Sequence, residues 1–408
     1  MPRAAFFTVI MLMALFARAE LRPLESPPGS GSLAPRLAPL DEGRAVLTWL
    51  EPDGNGHAFR FSVFDGDSFG DVSTIARGED WFANWADTPG LFVLPNGDWL
   101  AHWLVKSGPA TFAYDVVMAR SQDEGKSWSE PKIPHRDGTQ TEHGFVSYFA
   151  WDEDVAGAVW LDGRETAVEE GAEHSGHHGH AGDMTLRAAR IGPGLAVSEK
   201  QLLDERVCDC CMTASAMTDE GPLVIYRGRS ENEIRDIRKL RHDGEGWSQP
   251  ELVHDDGWQI GGCPVNGPDL IADGNDVVAA WFTMPDGQPQ VRVAISRDAG
   301  RDFSRPLELG IDQALGRVAL EWLGEGFVIA WLTEGEAGAS LMLTGFDREG
   351  TQRFSRELLT MDAGRVSGFP VMVRIGEHSL LLAWTEPGHD RRPTVRAGWI
   401  DLPQEPES

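Results

Sequence analysis

A short apolar strand ending in an aromatic residue recurs seven times along the chain. The copies are Ala45-Val-Leu-Thr-Trp49, Trp99-Leu-Ala-His-Trp103, Ala156-Gly-Ala-Val-Trp160, Leu223-Val-Ile-Tyr226, Val277-Val-Ala-Ala-Trp281, Phe327-Val-Ile-Ala-Trp331 and Leu380-Leu-Leu-Ala-Trp384. The aromatics are separated by 54, 57, 66, 55, 50 and 53 residues. Gly-containing turns precede several of them, as in Leu94-Pro-Asn-Gly97 and Ala272-Asp-Gly-Asn275. A period of this size built of short strands predicts an all-β chain, a β-propeller with four strands per blade. Seven units predict seven blades, with six as the alternative. The last unit lacks a clear fourth strand of its own, and residues around Leu21 to Leu24 are placed to supply it and close the ring.

A second pattern follows the third strand of some units. Ser121-Gln-Asp-Glu-Gly-Lys-Ser-Trp128 and Ser296-Arg-Asp-Ala-Gly-Arg-Asp-Phe303 share the form Ser-x-Asp-x-Gly-x-x-aromatic, and looser versions occur at Phe64–Phe69, His242–Trp247 and Phe346–Gly350. Such a sequence makes a hairpin turn in which the Asp accepts backbone N–H bonds, the Gly takes positive φ and the aromatic pins the turn. On these motifs the chain resembles the Asp-box, or BNR-repeat, proteins of the sialidase superfamily. The resemblance covers most of residues 20–408 and implies a sialidase-like propeller in a single domain. Sialidases themselves have six blades. They hold a sugar carboxylate with three arginines, and use a tyrosine activated by a glutamate with an aspartate as acid/base.

Residues 1–19 read as a cleavable signal peptide. Arg3 is followed by the apolar run Ala4 to Phe16 and then by Ala17-Arg18-Ala19, a small-x-small cleavage pattern. The run is shorter than the ~20 residues that span a bilayer. The expected product is a soluble periplasmic or secreted protein without membrane insertion, its cysteines exposed to an oxidising compartment. The net charge of −28 excludes nucleic acid as a partner and is compatible with cation binding.

Repeat register assigns the chemistry to one face. Strands alternate direction within a blade, so the connection from strand 4 to the next strand 1 emerges beside the loop from strand 2 to strand 3. The segments Cys208–Met212 and Gly262–Asn266 occupy equivalent places in consecutive units, so Cys208, Cys210, Cys211 and Cys263, the only cysteines, are expected to be neighbours. On an extended strand Cys208 and Cys210 would point to one side and Cys211 to the other. The loop after Trp160 carries His174, His177, His178 and His180, and His143 leads into the first strand of the same unit. Thiolate with thioether and imidazole suits copper, Cu(I) above all, or zinc. The candidate ligands are Cys208, Cys210, Cys211, Cys263, Met212, His143, His174, His177, His178 and His180. Two disulfides stapling adjacent blades are the alternative for the cysteines.

The same funnel supports two other readings. Arg229, Arg235, Arg317 and Arg365 rim it, and three of them could clamp the carboxylate of a small acidic sugar, as in an exo-acting sialidase-like glycoside hydrolase. Asp87 and Asp209 are acid candidates. The chain has only Tyr114, Tyr148 and Tyr226, none in the last three units where a sialidase-like order places the nucleophile, so catalytic residues stay unassigned. The third reading is a non-catalytic propeller that binds a glycan or a protein. The leading reading is an exported protein holding copper or zinc on its funnel face.

Overall fold

The computed structural model describes residues 20–41, 43–167, 182–336, 338–361, 364–387 and 392–402. It is an all-β ring of seven antiparallel blades. The first strand, β1 (Glu20–Pro23), belongs to the last blade. Blade one is β2 (Leu33–Pro39), β3 (Ala45–Asp53), β4 (Gly56–Phe64) and β5 (Ser73–Gly78). Blade two is β6 (Gly90–Val93), β7 (Trp99–Lys106) and β8 (Tyr114–Ser121), its fourth strand reduced to a bridge between Met118 and Lys132. Blade three is β9 (His143–Asp152), β10 (Val155–Asp162), β11 (Thr185–Gly192) and β12 (Ala196–Asp204). Blade four is β13 (Ala214–Thr218), β14 (Gly221–Arg227), β15 (Ile237–Arg241) and β16 (Glu251–Leu252). Blade five is β17 (Asp269–Asp273), β18 (Asp276–Thr283), β19 (Gln290–Ser296) and β20 (Leu307–Leu309). Blade six is β21 (Ala314–Leu323), β22 (Gly326–Gly335), β23 (Gly338–Asp347) and β24 (Gln352–Met361). Blade seven is β25 (Val371–Arg374), β26 (Ser379–Pro387) and β27 (Pro393–Asp401), completed by β1 in the register Leu21 to Ile400.

Each recurring aromatic lies on the second strand of its blade and is buried. The run before it is almost entirely apolar, with Thr48 and His102 its buried polar members, because both faces of that strand are covered, one by each neighbouring blade. On β3 the period-two alternation sends Ala45, Leu47 and Trp49 toward blade seven, and Val46 and Leu50 toward blade two. Around the ring there are seven such apolar clusters, each shared by two adjacent blades, and this decides seven blades over six.

The two Ser-x-Asp-x-Gly segments adopt one turn. Ser121 Oγ donates to Asp123, Gly125 N donates to Ser121 Oγ at 2.9 Å, and Ser127 N donates to Asp123 Oδ1 at 2.8 Å. Ser296, Asp298, Gly300 and Asp302 repeat the pattern at 2.7, 2.9 and 3.0 Å. Both glycines have positive φ, 79° and 77°. These turns follow third strands, on the face opposite the funnel. Among the described residues no helix is long and apolar enough to cross a membrane.

Candidate functional site

The connection from β12 to β13 carries the three clustered cysteines, and the connection from β16 to β17 carries Cys263. The two segments pack closely: a Cβ on Gly267 would lie 2.5 Å from the Met212 carbonyl oxygen, so only glycine fits there. Residues 208–211 form a turn rather than an extended strand. The expected opposition of Cys211 to the other two is therefore corrected, because the turn curls all three sulfurs inward. Cys208 Sγ is 3.6 Å from Cys211 Sγ and 3.9 Å from Cys210 Sγ. Cys263 reaches Cys210 by a side-chain contact from the neighbouring blade. The four cysteines are free thiols, with Cys208 and Cys211 buried and Cys263 exposed. Met212, Cys210 and Val265 each pack against the apolar cluster between blades three and four.

The loop from β14 to β15 brings in charge. Arg235 donates through Nη1 to Cys208 Sγ at 3.1 Å, through Nη2 to Glu233 at 2.8 Å and through Nε to the Ile260 carbonyl at 3.2 Å. Hydrogen bonds from Cys210 and Cys211, aided by the Arg235 and Arg227 charges, draw the Cys208 thiol well below its ordinary range against the opposing effect of burial. Burial and the hydrogen bond with Cys208 push Cys211 up, while its bonds with the other thiols push Cys210 up. The thiolate is thus favoured at Cys208 over Cys210 and Cys211, and Cys263 is drawn down as well by its contact with Cys210.

Two residues outside the sequence-based candidates organise this region. Arg227, only 1% exposed, caps the carbonyls of Asn266, Arg235 and Phe282. Asn266 donates from its backbone N to Cys211 Sγ at 3.4 Å and accepts from Arg317 N at 2.8 Å. They were legible only as a Tyr-Arg pair at a strand end and an Asn after Cys263, neither of which announces a role.

Of the four rim arginines, Arg229 and Arg235 meet on Glu233, and Arg317 lies against the turn that carries Arg365. Arg229 grips Glu233 through Nε and Nη2 and stands 3.5 Å from Asp209. Arg317 donates to Ser367 Oγ and to the carbonyls of Gly368 and Gly364, under the rings of Trp85 and Phe369. Arg365 is exposed on the short turn Arg365–Ser367. A carboxylate clamped here would have to displace these contacts.

At the start of β8 a tyrosine lies between two acids. Tyr114 Oη is 2.7 Å from Asp87 Oδ2 and 2.7 Å from Glu142 Oε1. One hydroxyl proton cannot serve two carboxylates, so an acid here holds a second one. Burial lifts Asp87 to about 7 and Glu142 to about 8. The charges of Asp87, Asp209 and Cys263 add to the rise at Glu142. Tyr114 itself is fully buried, and burial raises its hydroxyl well above the usual value. The other two tyrosines serve packing: Tyr226 donates to Asp204, and Tyr148 stacks on Phe92.

The expected grouping of His143 with the cysteines is not what the structure shows. Its ring stacks on His135 and faces Asp115, Asp137 and Asp162 between blades two and three. The reason is register: His143 opens β9, one blade before the thiol connection. His174, His177, His178 and His180 lie outside the described residues, as does the expected signal peptide.

No protein-family model matches the chain, and no curated protein matches it by sequence. Its likeness is to solved propellers. A protein of unknown function from Dyadobacter fermentans superposes with a TM-score of 0.54 at 15% identity, covering 94% of this chain and 99% of that one. The GH93 α-L-arabinofuranosidase of Fusarium graminearum, solved with arabinobiose, gives 0.51 at 13% identity, covering 94% and 97%. The NanB sialidase of Streptococcus pneumoniae is more distant, at 0.43 and 10% identity, covering 88% and 83%. At such identities the likeness is one of fold.

Proposed function

We propose that the protein is an exported propeller, related in fold to the sialidase-like Asp-box proteins, that binds a soft transition metal at its thiol cluster, copper as Cu(I). The observation that carries this reading is the convergence of Cys208, Cys210 and Cys211, whose sulfurs all lie within 4.8 Å of one another, with Cys263 joining from the next blade. Thiolates select Cu(I) or zinc over harder cations, and Met212 offers a thioether nearby. A pre-formed thiolate at Cys208 lowers the proton cost of binding. Arg235 and the Asn266 amide would then act as outer partners that fix the sulfur positions. Export rests on the sequence pattern of residues 1–19, and the His-rich stretch 174–180 would serve as a capture arm.

Anaerobic metal analysis of the purified protein, beside a free-thiol count, tests this. The expected result is near-stoichiometric copper or zinc that disappears in Cys208→Ser/Cys263→Ser. Four oxidised cysteines and no metal would sink it. A second reading draws support from the 2.7 Å contact of the Tyr114 hydroxyl with Glu142, a tyrosine paired with an acid as in a sialidase-like hydrolase. Cleavage of a fluorogenic sialoside or arabinofuranoside, lost in Glu142→Gln, would support that reading over the first.

A further inference from the structure

Between blades two and three, away from the thiols, two imidazoles stack face to face. The His135 and His143 ring centroids are 3.9 Å apart and their planes differ by 2°. Both residues are buried, at 4% and 0% exposure. Each ring presents one nitrogen to Asp137 and the other toward Asp115. On the first side Asp137 Oδ2 lies 3.1 Å from His135 Nδ1 and 3.2 Å from His143 Nε2.

The charge on that first side is already answered. Arg164 binds Asp162 through Nε at 2.7 Å and Nη2 at 2.6 Å, and the same Nη2 is 3.3 Å from Asp137. Trp160 Nε1 adds a bond to Asp162 at 2.9 Å. An incoming cation would meet a guanidinium there.

The Asp115 side is different. Asp115 Oδ1 stands 3.4 Å from His143 Nδ1 and 3.8 Å from His135 Nε2. These separations are long for hydrogen bonds, and His135 Nε2 is a buried nitrogen without a hydrogen-bond partner. They approach the spacing of donors around one small divalent ion, where bonds of ~2.1 Å hold neighbouring ligands roughly 3–3.5 Å apart. The Tyr114 carbonyl accepts a hydrogen bond from His143 Nδ1 at 3.3 Å, a bond that an ion at this place would replace while leaving the oxygen beside it. His135 also has its other nitrogen on a carboxylate, the arrangement that orients zinc-bound histidines. Asp115 is 19% exposed at its side chain, which gives an ion a way in.

We infer that Asp115, His135 and His143 form a second cation site, for a borderline divalent ion of the zinc class, independent of the thiol cluster. Its donors are nitrogen and oxygen, so it selects against Cu(I) where the thiols select for it. One ion cannot lie in two parallel ring planes, so binding turns one imidazole and opens the stack. Because the ligands come from β8, from the connection between the blades and from β9, an ion there ties blade two to blade three. That connection belongs to the blade with only three full strands, where additional bracing has the most to add.

The experiment uses cobalt(II) as the probe on a full-length variant with Cys208, Cys210, Cys211 and Cys263, and His174, His177, His178 and His180, all changed to Ser. The expected result is one equivalent bound, with d–d absorption of nitrogen and oxygen ligation and no sulfur charge-transfer band. Adding Asp115→Asn or His135→Gln should abolish that equivalent while circular dichroism in EDTA stays unchanged. A second reading, on the otherwise wild-type chain, compares Tm with and without zinc. Wild type should gain Tm, and Asp115→Asn should lose a clear part of that gain. Absence of a stoichiometric equivalent, or equal zinc-dependent gains in wild type and Asp115→Asn, overturns the proposal and leaves the stacked pair as a proton-holding network.

Discussion

At the scale of single residues the contact of Arg235 with Cys208 adds a charge to the hydrogen bonds from Cys210 and Cys211. Because the folded protein holds Cys208 below its ordinary pKa, the thiolate persists as pH falls, and metal uptake persists with it. Arg235→Gln removes that charge and moves the pH midpoint of metal uptake upward. Titration of binding between pH 5 and 9 with wild type and variant measures this, and superimposable profiles would remove Arg235 from the site. None of this could be read from sequence, where Arg235 looked like part of a carboxylate clamp. The side chain instead turns onto a sulfur and onto Glu233, and only three-dimensional packing specifies that choice. His143 illustrates the same limit: its residue type suggested a ligand, but its partners His135 and Asp115 are common residues with no motif around them.

At the scale of elements, the sequence disclosed the strands and their turns well and the connections poorly. Strand positions follow from a repeated apolar pattern with one low-energy arrangement. The Cys208–Met212 connection has no such pattern, and treating it as extended put Cys211 on the wrong side. The hairpin turns can be tested by contrast between two glycines. Gly97 has φ of +86° and open space around its missing Cβ, whereas Gly125 has φ of +79° and would place a Cβ 2.5 Å from Phe61 and 3.0 Å from Trp99. Gly97→Ala should cost about 1 kcal/mol, the conformational penalty alone. Gly125→Ala should cost about 2–4 kcal/mol, because two packed aromatic rings from adjacent blades must also shift. Urea unfolding of the two variants gives both numbers. Equal costs would mean that the turn in blade two yields without disturbing the interface with blade one.

For the molecule as a whole, closure of the ring is what makes seven similar sheets into one cooperative body. Every blade has an apolar face on each side, so an open ring would expose two such faces and a bare strand edge on β27. β1 covers that edge. Its register with β27 places Leu21 against the cluster shared by blades six and seven, and a Cβ on Gly398 would come within 2.6 Å of the Leu21 methyl. The neighbouring ion pair, Arg22 with Asp401, is 61% and 56% exposed at its side chains, so solvent screens most of its attraction. These facts separate two substitutions one residue apart. Arg22→Ala should change stability by less than ~1 kcal/mol. Leu21→Asp removes the apolar anchor and puts a charge in the seam, at a cost of roughly 2–3 kcal/mol. It should also free the β27 edge, so the variant is expected to self-associate by light scattering at concentrations where wild type is monodisperse. If Leu21→Asp unfolds in urea like wild type and does not self-associate, the ring is held by its seven interblade clusters alone and β1 is an ornament on its rim. The close fit of Leu21 against Gly398 argues for the opposite: the one inward residue of an otherwise exposed strand packs on the cluster of blades six and seven, and closing the edge there makes the last blade complete.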